Sequence, residues 1–144
     1  MNEEKHESWL ISEGKLENGL PFVLRFREDL PDESLRGKLS TLIVISWFFE
    51  TEDGNGLPKN EDQQLMEEFE NVLDDELVEK GTARLMTVFT GEGLREWQLY
   101  TDDEEFFVEK FNRALADVPA LPLEIEAFED GNWDAYNDYT RLAR

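Results

Sequence analysis

The 144-residue chain is strongly acidic, with 35 Asp and Glu residues against 14 Lys and Arg residues, a formal net charge of -21 and no cysteine. Its length predicts one hydrophobic core, and the lack of cysteine excludes disulfides, thiolate metal sites and cysteine nucleophiles. The charge argues against binding to DNA, RNA or an anionic membrane, because a surface of this sign repels phosphates. It favours a basic protein partner, although such a charge can also serve only to keep a protein soluble and monomeric.

Neither the first residues nor the longest apolar run carries a targeting or membrane-spanning signal. Residues 1–8 are polar and acidic, whereas a signal peptide needs a basic segment followed by an apolar one. The apolar run 42–49 is interrupted by Ser46 and is too short to cross a bilayer. We therefore expect a soluble cytoplasmic protein, either a monomer or a homodimer.

The first third of the chain predicts a β-hairpin and then a buried strand. Residues 9–14 and 21–27 flank Asn18-Gly19, a dipeptide typical of type I′ hairpin turns because both central residues of that turn need positive φ. Residues 30–38 predict a loop. Residues 39–50 are rich in branched and aromatic side chains, which indicates a central strand of a sheet.

The middle of the chain predicts a helix and a second hairpin. The helix begins at Asn60, which can cap it, with Gln63 completing a capping box, and Gly81 ends it. Residues 82–90 and 94–100 predict two strands around a glycine-rich turn. On the second of these strands the side chains of Arg95, Trp97 and Leu99 share one face, and those of Glu96, Gln98 and Tyr100 share the other.

The last third predicts a helix, an edge strand and a short tail. The helix begins at Thr101, with Glu104 completing its capping box, and Pro119 ends it. Residues 123–128 alternate between apolar and mostly charged side chains, a pattern typical of an edge strand. Residues 133–144 form a tail that is compatible with a helix.

The predicted order from Leu39 onward is β-α-β-β-α-β. This order is typical of a ferredoxin-like split β-α-β-β-α-β sandwich, an α+β fold with helices on one face of an antiparallel sheet. The N-terminal hairpin would extend or flank that sheet. We therefore predict a single domain over residues 1–144, with a flexible tail at 1–7, the hairpin at 8–27, the ferredoxin-like core at 39–129 and a C-terminal tail at 130–144.

Catalytic groups are scarce in this sequence. His6 is the only histidine, and it lies in the polar N-terminal segment, where a solvated side chain is the simpler interpretation. Phosphate-binding glycine loops and nucleophile elbows are missing from the sequence. We predict no catalytic residue and no cofactor, while paired carboxylates stay an alternative because acidic residues are abundant.

The best candidate for a metal site is an incomplete calcium-binding loop. Its oxygen-bearing residues have the spacing of the start of an EF-hand: Asp130, Asn132, Asp134 and Asp138. Ala135 occupies the position of the required glycine, and Arg141 occupies that of the bidentate glutamate. These departures predict that the segment holds no metal.

Large aromatic and cationic side chains beside predicted turns form a candidate interaction patch. Its members are Arg95, Trp97, Tyr100, Trp133 and Tyr136. Trp, Tyr and Arg are the residues that most often anchor protein interfaces. The alternative is that Trp97 and Trp133 belong to the core and that their N–H groups bind backbone acceptors.

Short motifs along the chain are shared with one bacterial family. They are Asn55-Gly56-Leu57-Pro58 ahead of a helix with Leu65 and Glu68, then Thr90, Gly93, Arg95-Glu96-Trp97 and Tyr100, and finally Asp130, Trp133 and Tyr136. With them the chain resembles, from Trp9 onward, the uncharacterised domain of unknown function 695 (DUF695). The resemblance implies an α+β fold and no established activity. Members of this family are sometimes fused to a domain resembling the B-type protein regulator of ribonuclease E, an acidic inhibitor.

The charge and the scarcity of catalytic groups together predict a non-enzymatic regulatory or inhibitory domain that docks a basic protein partner. Two alternatives stay open. An immunity- or antitoxin-like protein would be encoded beside a toxin gene. A carboxylate-dependent hydrolase would need two close, half-buried acids in one pocket.

Overall fold

The computed structural model describes residues 9–51, 54–118 and 120–143. The strands are β1 (Trp9–Lys15), β2 (Pro21–Arg27), β3 (Thr41–Phe48), β4 (Arg84–Gly91), β5 (Leu94–Thr101) and β6 (Leu123–Glu129). The helices are α1 (Glu33–Lys38), α2 (Asn60–Leu73), α3 (Glu104–Ala114) and α4 (Asp134–Arg141), and α2 continues into a π-helical turn at Asp74–Val78. The predictions for the tail at 1–7, for His6 and for Pro119 as a helix stop lie outside the described residues.

All six strands form one antiparallel sheet in the order β1-β2-β4-β5-β3-β6. The apolar strand β3 pairs with β5 on one side and with β6 on the other. The N-terminal hairpin extends the sheet, because β2 pairs with β4. The sequence prediction of mixed α and β structure around an antiparallel sheet is thus confirmed.

Helices α2 and α3 pack on the same face of the sheet. The core on this side combines alternate residues of the central strands with the apolar stripes of the two helices. Its members include Ile43, Ile45, Trp47, Met66, Phe69, Leu73, Trp97, Leu99, Phe107 and Phe111. Phe69 lies at its centre, since its ring contacts those of Trp47, Trp97 and Phe111.

Helix α4 packs on the opposite face, where it covers Leu42 and Val44 of β3. The ring of Trp133, just before α4, stacks on that of Tyr100 with centroids 3.9 Å apart and planes 7° from parallel. Farther along α4, the ring of Tyr139 stacks on that of Phe89. The C-terminal segment predicted as a tail is therefore helical and is packed against the sheet.

Three predictions about helices were wrong. Residues 33–38 form α1 rather than a loop, because the Asp32 carboxylate accepts a hydrogen bond from Leu35 N at 2.8 Å and so caps a helix without buried residues. Asn60 is the first residue of α2 and not its cap. Thr101 ends β5 and donates its hydroxyl proton to Thr82 O at 2.8 Å, so Asp103 caps α3 instead.

The turn between β4 and β5 is where three segments meet. Glu92 and Gly93 both have positive φ, 54° and 77°. The sequence predicted this conformation for Asn18 and Gly19, but there only Gly19 adopts it. Gly93 N donates to Gly56 O at 2.9 Å, and Phe49 N donates to Gly93 O at 2.9 Å. The Glu92 carboxylate accepts from Asn18 Nδ2 at 2.8 Å, so the tips of the two hairpins are joined.

Within the described ranges, no helix is both long and apolar enough to cross a membrane.

Candidate functional site

The aromatic members of the predicted interaction patch lie in the core. Trp97 and Tyr100 are both fully buried, Trp133 is 1 % exposed and Tyr136 is 4 % exposed. Trp97 faces α2 and α3, whereas Tyr100 packs on the far side of the sheet against Trp133 and Tyr136 from the α4 segment. This separation follows the alternation along β5 that the sequence predicted. Trp97 and Trp133 are therefore core residues, and of the five residues Arg95 is the one that is only partly buried.

The polar atoms of these aromatic side chains are used inside the fold. Trp133 Nε1 donates to Leu39 O at 2.9 Å, as the core interpretation expected, but Trp97 Nε1 donates to a side chain, Glu70 Oε1, at 2.8 Å. Tyr100 donates its hydroxyl proton to Asp130 Oδ2 at 2.7 Å. Burial, with this hydrogen bond and the charge of Asp130, raises the pKa of Tyr100 far above its ordinary value.

The incomplete calcium loop serves as a helix cap. Asp130 Oδ1 accepts from Asp134 N at 2.9 Å, and Oδ2 accepts from Ala135 N at 3.1 Å. These bonds satisfy free N–H groups at the start of α4 and place a carboxylate at the positive end of the helix dipole. Across the residues that the structure describes, no cluster of three or more His, Cys, Asp or Glu side chains is arranged to hold a metal ion.

A groove lies between α2 and the strands β1, β2 and β4. It consists of two adjoining cavities of about 720 and 490 Å³ that share Arg25, Glu70 and Asn71. We call it the arginine groove, defined by its cationic side chains and one ring: Trp9, Arg25, Arg27, Arg84 and Arg95. Four of the 14 Lys and Arg residues of a chain with net charge -21 thus meet on one side of the sheet.

An ion pair crosses the arginine groove between its two cavities. Arg25 Nη2 lies 2.5 Å from Glu70 Oε1, the same oxygen that accepts from Trp97 Nε1. The Arg25 guanidinium also lies over the ring of Trp9, 5.0 Å from its centroid. Because Trp97 is fully buried, the core fixes Glu70, and Glu70 in turn orients Arg25.

Two further arginines lie at one end of the groove. The Arg27 guanidinium is 4.8 Å from the Trp9 ring centroid, and its Nε donates to Leu85 O at 3.0 Å. Burial, followed by the nearby positive charge of Arg84, lowers the pKa of Arg27. The contacts of Arg84 are long, with Nη2 at 3.5 Å from Asp29 O and 3.6 Å from Asp29 Oδ2. Its buried Nε has no acceptor among the described residues.

Arg95 lies in the other cavity, where its Nε donates to Thr90 Oγ1 at 2.8 Å. Burial lowers its pKa. Opposite the arginines, α2 and the π-helical turn that follows it supply an acidic wall that includes Glu67, Glu70 and Asp74. Burial raises the pKa of Asp74, and the charges of Glu79, Asp75 and Glu70 raise it further. The groove therefore has a cationic sheet side and an acidic helix side.

A second surface of opposite character lies at the edge strand β6. Glu124 and Glu126 are exposed on the face that carries α4, opposite Ser46 and Val44 of β3. On the same face lie two aromatic side chains, Phe48 at 49 % exposure and Phe128 at 47 %. We call these four residues, Phe48, Glu124, Glu126 and Phe128, the acidic strand face. Strand β6 pairs only with β3, so its outer edge has no strand partner in the described sheet.

Comparison with known proteins gives one match. No curated protein and no solved structure matches the chain. The family described as "Family of unknown function (DUF695)" matches residues 7–140, which is nearly the whole chain. That match confirms the resemblance seen in the sequence motifs, and the chain belongs to the DUF695 family.

Proposed function

We propose that the chain is a non-enzymatic regulatory or inhibitory protein-binding domain that acts in the cytoplasm and docks a basic protein partner. The acidic strand face is the observation that carries this proposal. There the exposed carboxylates of Glu124 and Glu126 lie between the exposed rings of Phe48 and Phe128. The carboxylates would pair with Lys or Arg, and the rings would add apolar contact and cation–π attraction.

The edge of β6 limits the form that the partner can take. An unpaired edge offers backbone N–H and C=O groups to an added strand. In such a strand alternate side chains point to one face, so every second residue of the partner would reach the acidic strand face. We therefore propose that the occupant is an extended segment with Lys or Arg at alternate positions.

Calorimetric titration with a synthetic peptide of alternating Lys and Thr residues tests this proposal. We expect binding that weakens as NaCl rises, because exposed ion pairs are screened. The double variant E124K/E126K should weaken binding by about tenfold or more, since it replaces two attractions by two repulsions.

The matched control is E68K/D75K, which reverses two exposed charges on α2 and on the π-helical turn after it. These elements lie on the opposite side of the sheet from the acidic strand face. This control should retain most of the binding. Equal losses in both variants would mean that only net charge acts, and binding that is insensitive to salt would also overturn the proposal.

We also infer that residues 39–129 form a ferredoxin-like split β-α-β-β-α-β sandwich. The order β4-β5-β3-β6, with β3 between β5 and β6, supports this assignment, as do α2 and α3 on a common face. The N-terminal hairpin would then be an addition at the β4 side, which leaves β6 as the free edge of the ferredoxin-like unit.

The two alternatives from the sequence differ in what supports them. An immunity- or antitoxin-like protein is a special case of the proposed function, and a toxin reading frame beside the gene would identify it. For a carboxylate-dependent hydrolase, the acids would be Glu70 and Asp74, four residues apart on the helix wall of the arginine groove. Glu70 already binds Arg25 and Trp97 through one oxygen, which favours a structural role for it.

A further inference from the structure

The arginine groove concentrates positive side chains in a protein whose net charge is strongly negative. In a chain with net charge -21, four guanidinium groups and one partly exposed tryptophan converge on one concavity. We propose that the larger cavity of this groove binds a small oxyanion ligand, a carboxylate or a phosphate, between Arg27, Arg84 and Trp9. This site is separate from the acidic strand face and does not depend on the proposed function.

The dimensions of the cavity suit a small molecule. Its volume of about 720 Å³ falls within the usual range for ligand sites. Such sites combine apolar walls with a few convergent polar groups. Here Val78, Ala83 and Leu85 supply apolar surface beside the arginines.

Two arginines, Arg27 and Arg84, lie close enough at one end of the cavity to repel each other, and the buried Nε of Arg84 has no acceptor among the described residues. The positive charge of Arg84 is the strongest of the charges that act on Arg27. Among the described residues, the carboxylate that pairs with Arg84 is that of Asp29, which lies at 3.6 Å and is half exposed. An oxyanion between the two guanidinium groups would relieve their repulsion and accept short, charge-assisted hydrogen bonds. The flat Trp9 ring already lies against Arg27 and closes one side of this position.

The acidic wall restricts the ligand to small anions. Asp74 and Glu79 line the same cavity, and their carboxylates would repel a long polyanion such as a nucleic acid. A ligand with one or two negative charges can approach the arginines without meeting that wall at several points.

Trp9 provides the readout for the test. The other three tryptophans, Trp47, Trp97 and Trp133, are at most 2 % exposed, so a ligand in the groove should alter mainly the fluorescence of Trp9. We would titrate the full chain with succinate and, separately, with inorganic phosphate, using NaCl to hold the ionic strength constant. Arginine Nε–Hε signals in NMR spectra would be followed in parallel. We expect the Trp9 fluorescence to change saturably with at least one of the two anions. The anion that binds more tightly then identifies the ligand as a carboxylate or a phosphate.

Variants at Arg84 locate the site. Arg84→Gln should weaken binding by about tenfold or more, the usual effect of losing a hydrogen bond to a charged group. The control Arg113→Gln removes the same charge from an exposed position on α3 and should leave binding unchanged. If Arg84→Gln does not fold, Arg84→Lys keeps the charge but loses the planar fork, and we expect it to bind several-fold more weakly.

Two results would overturn the proposal. One is no saturable change with either anion at constant ionic strength. The other is equal weakening by the Arg84 and Arg113 variants, which would show a general effect of charge. Because E124K/E126K does not touch the groove, that variant should bind the anion normally, and so the two proposals can fail separately.

Discussion

At the scale of single residues, Glu70 connects the core to the arginine groove. One of its oxygens accepts from the buried indole of Trp97 at 2.8 Å and from Arg25 at 2.5 Å. The bond from Trp97 fixes the Glu70 carboxylate against the core, and the bond from Arg25 is charge-assisted. Arg25 therefore has a defined position over Trp9. A surface arginine would otherwise sample many rotamers, and holding it in place costs side-chain entropy.

Asp74 makes a testable contribution to stability. Because burial and neighbouring acids raise its pKa in the folded state, the ionised carboxylate destabilises the fold at neutral pH. Asp74→Asn should therefore increase the free energy of unfolding at pH 7, by roughly 0.5 kcal/mol or less since much of the group is solvated. The gain should shrink as the pH falls through the raised pKa, where wild-type Asp74 takes up a proton. Urea denaturation from pH 7 to pH 4 measures this.

Asp117→Asn is the control for this prediction, since it removes the same charge from an exposed position and Asp117 is not among the acids that raise the pKa of Asp74. A stability difference for Asp74→Asn that does not change with pH would contradict the assignment. A less stable Asp74→Asn variant would mean that the attraction to Arg27 outweighs burial.

At the scale of elements, the loop before α2 is attached to the turn between β4 and β5. Gly56 has a φ of 83°, and a Cβ at this position would lie 2.7 Å from Glu92 N. Gly54 also has positive φ, 75°, but open space surrounds its Cβ position. Substitutions at the two positions can therefore distinguish the free-energy cost of the backbone conformation, which both share, from the cost of close packing, which only Gly56 has.

Gly56→Ala should destabilise the protein clearly more than Gly54→Ala. Both variants carry the penalty of a left-handed alanine, about 1 kcal/mol, and Gly56→Ala also pushes the loop away from Glu92. We expect a total loss of about 2 to 4 kcal/mol for Gly56→Ala by thermal or urea denaturation. Equal losses in the two variants would show that the contact with the turn adds nothing to stability.

The strands were predictable because each carries its signal locally. Residues 21–27 alternate between two faces and residues 39–50 are mostly branched or aromatic, and the structure places strands over most of both ranges. Helix α1 was not predictable from apolar periodicity, because it has no buried residue and depends on the cap at Asp32. The π-helical turn at Asp74–Val78 likewise has no pattern of its own that the sequence reveals.

The arginine groove could not be predicted, because its contacts join distant parts of the chain. Arg25 and Glu70 are 45 positions apart, and Glu70 and Trp97 are 27 apart. The sequence feature nearest to it is the motif Arg95-Glu96-Trp97, in which Arg95 lines the groove and Trp97 binds Glu70 of its acidic wall. The predicted interaction patch assumed that Trp97 and Tyr100 are exposed. Alternation along β5 instead directs these side chains into the core on opposite faces of the sheet.

At the scale of the whole molecule, the acidic charge is spread over helix surfaces and the edge strand. Exposed acids lie on α2, on α3 and on β6, so a compact fold holds many like charges near one another. Raising NaCl from a few millimolar to about 0.15 M shortens the Debye length to about 8 Å. We expect the free energy of unfolding to rise over this range by an amount on the order of 1 kcal/mol.

Chemical denaturation by urea at each NaCl concentration measures this effect. E68K/D75K, with two charges reversed, should show a smaller rise. Stability that falls with added NaCl would mean that local ion pairs such as Arg25–Glu70 outweigh the general repulsion.

The position of β3 in the sheet has a consequence for synthesis on the ribosome. This most apolar strand lies between β5 and β6, both of which follow it in the chain, and β6 ends at Glu129 of 144 residues. In a nascent chain, the two edges of β3 therefore lack their backbone partners until β5 and then β6 have been made. Until then the apolar side chains of β3 lack their sheet neighbours and can bind chaperones.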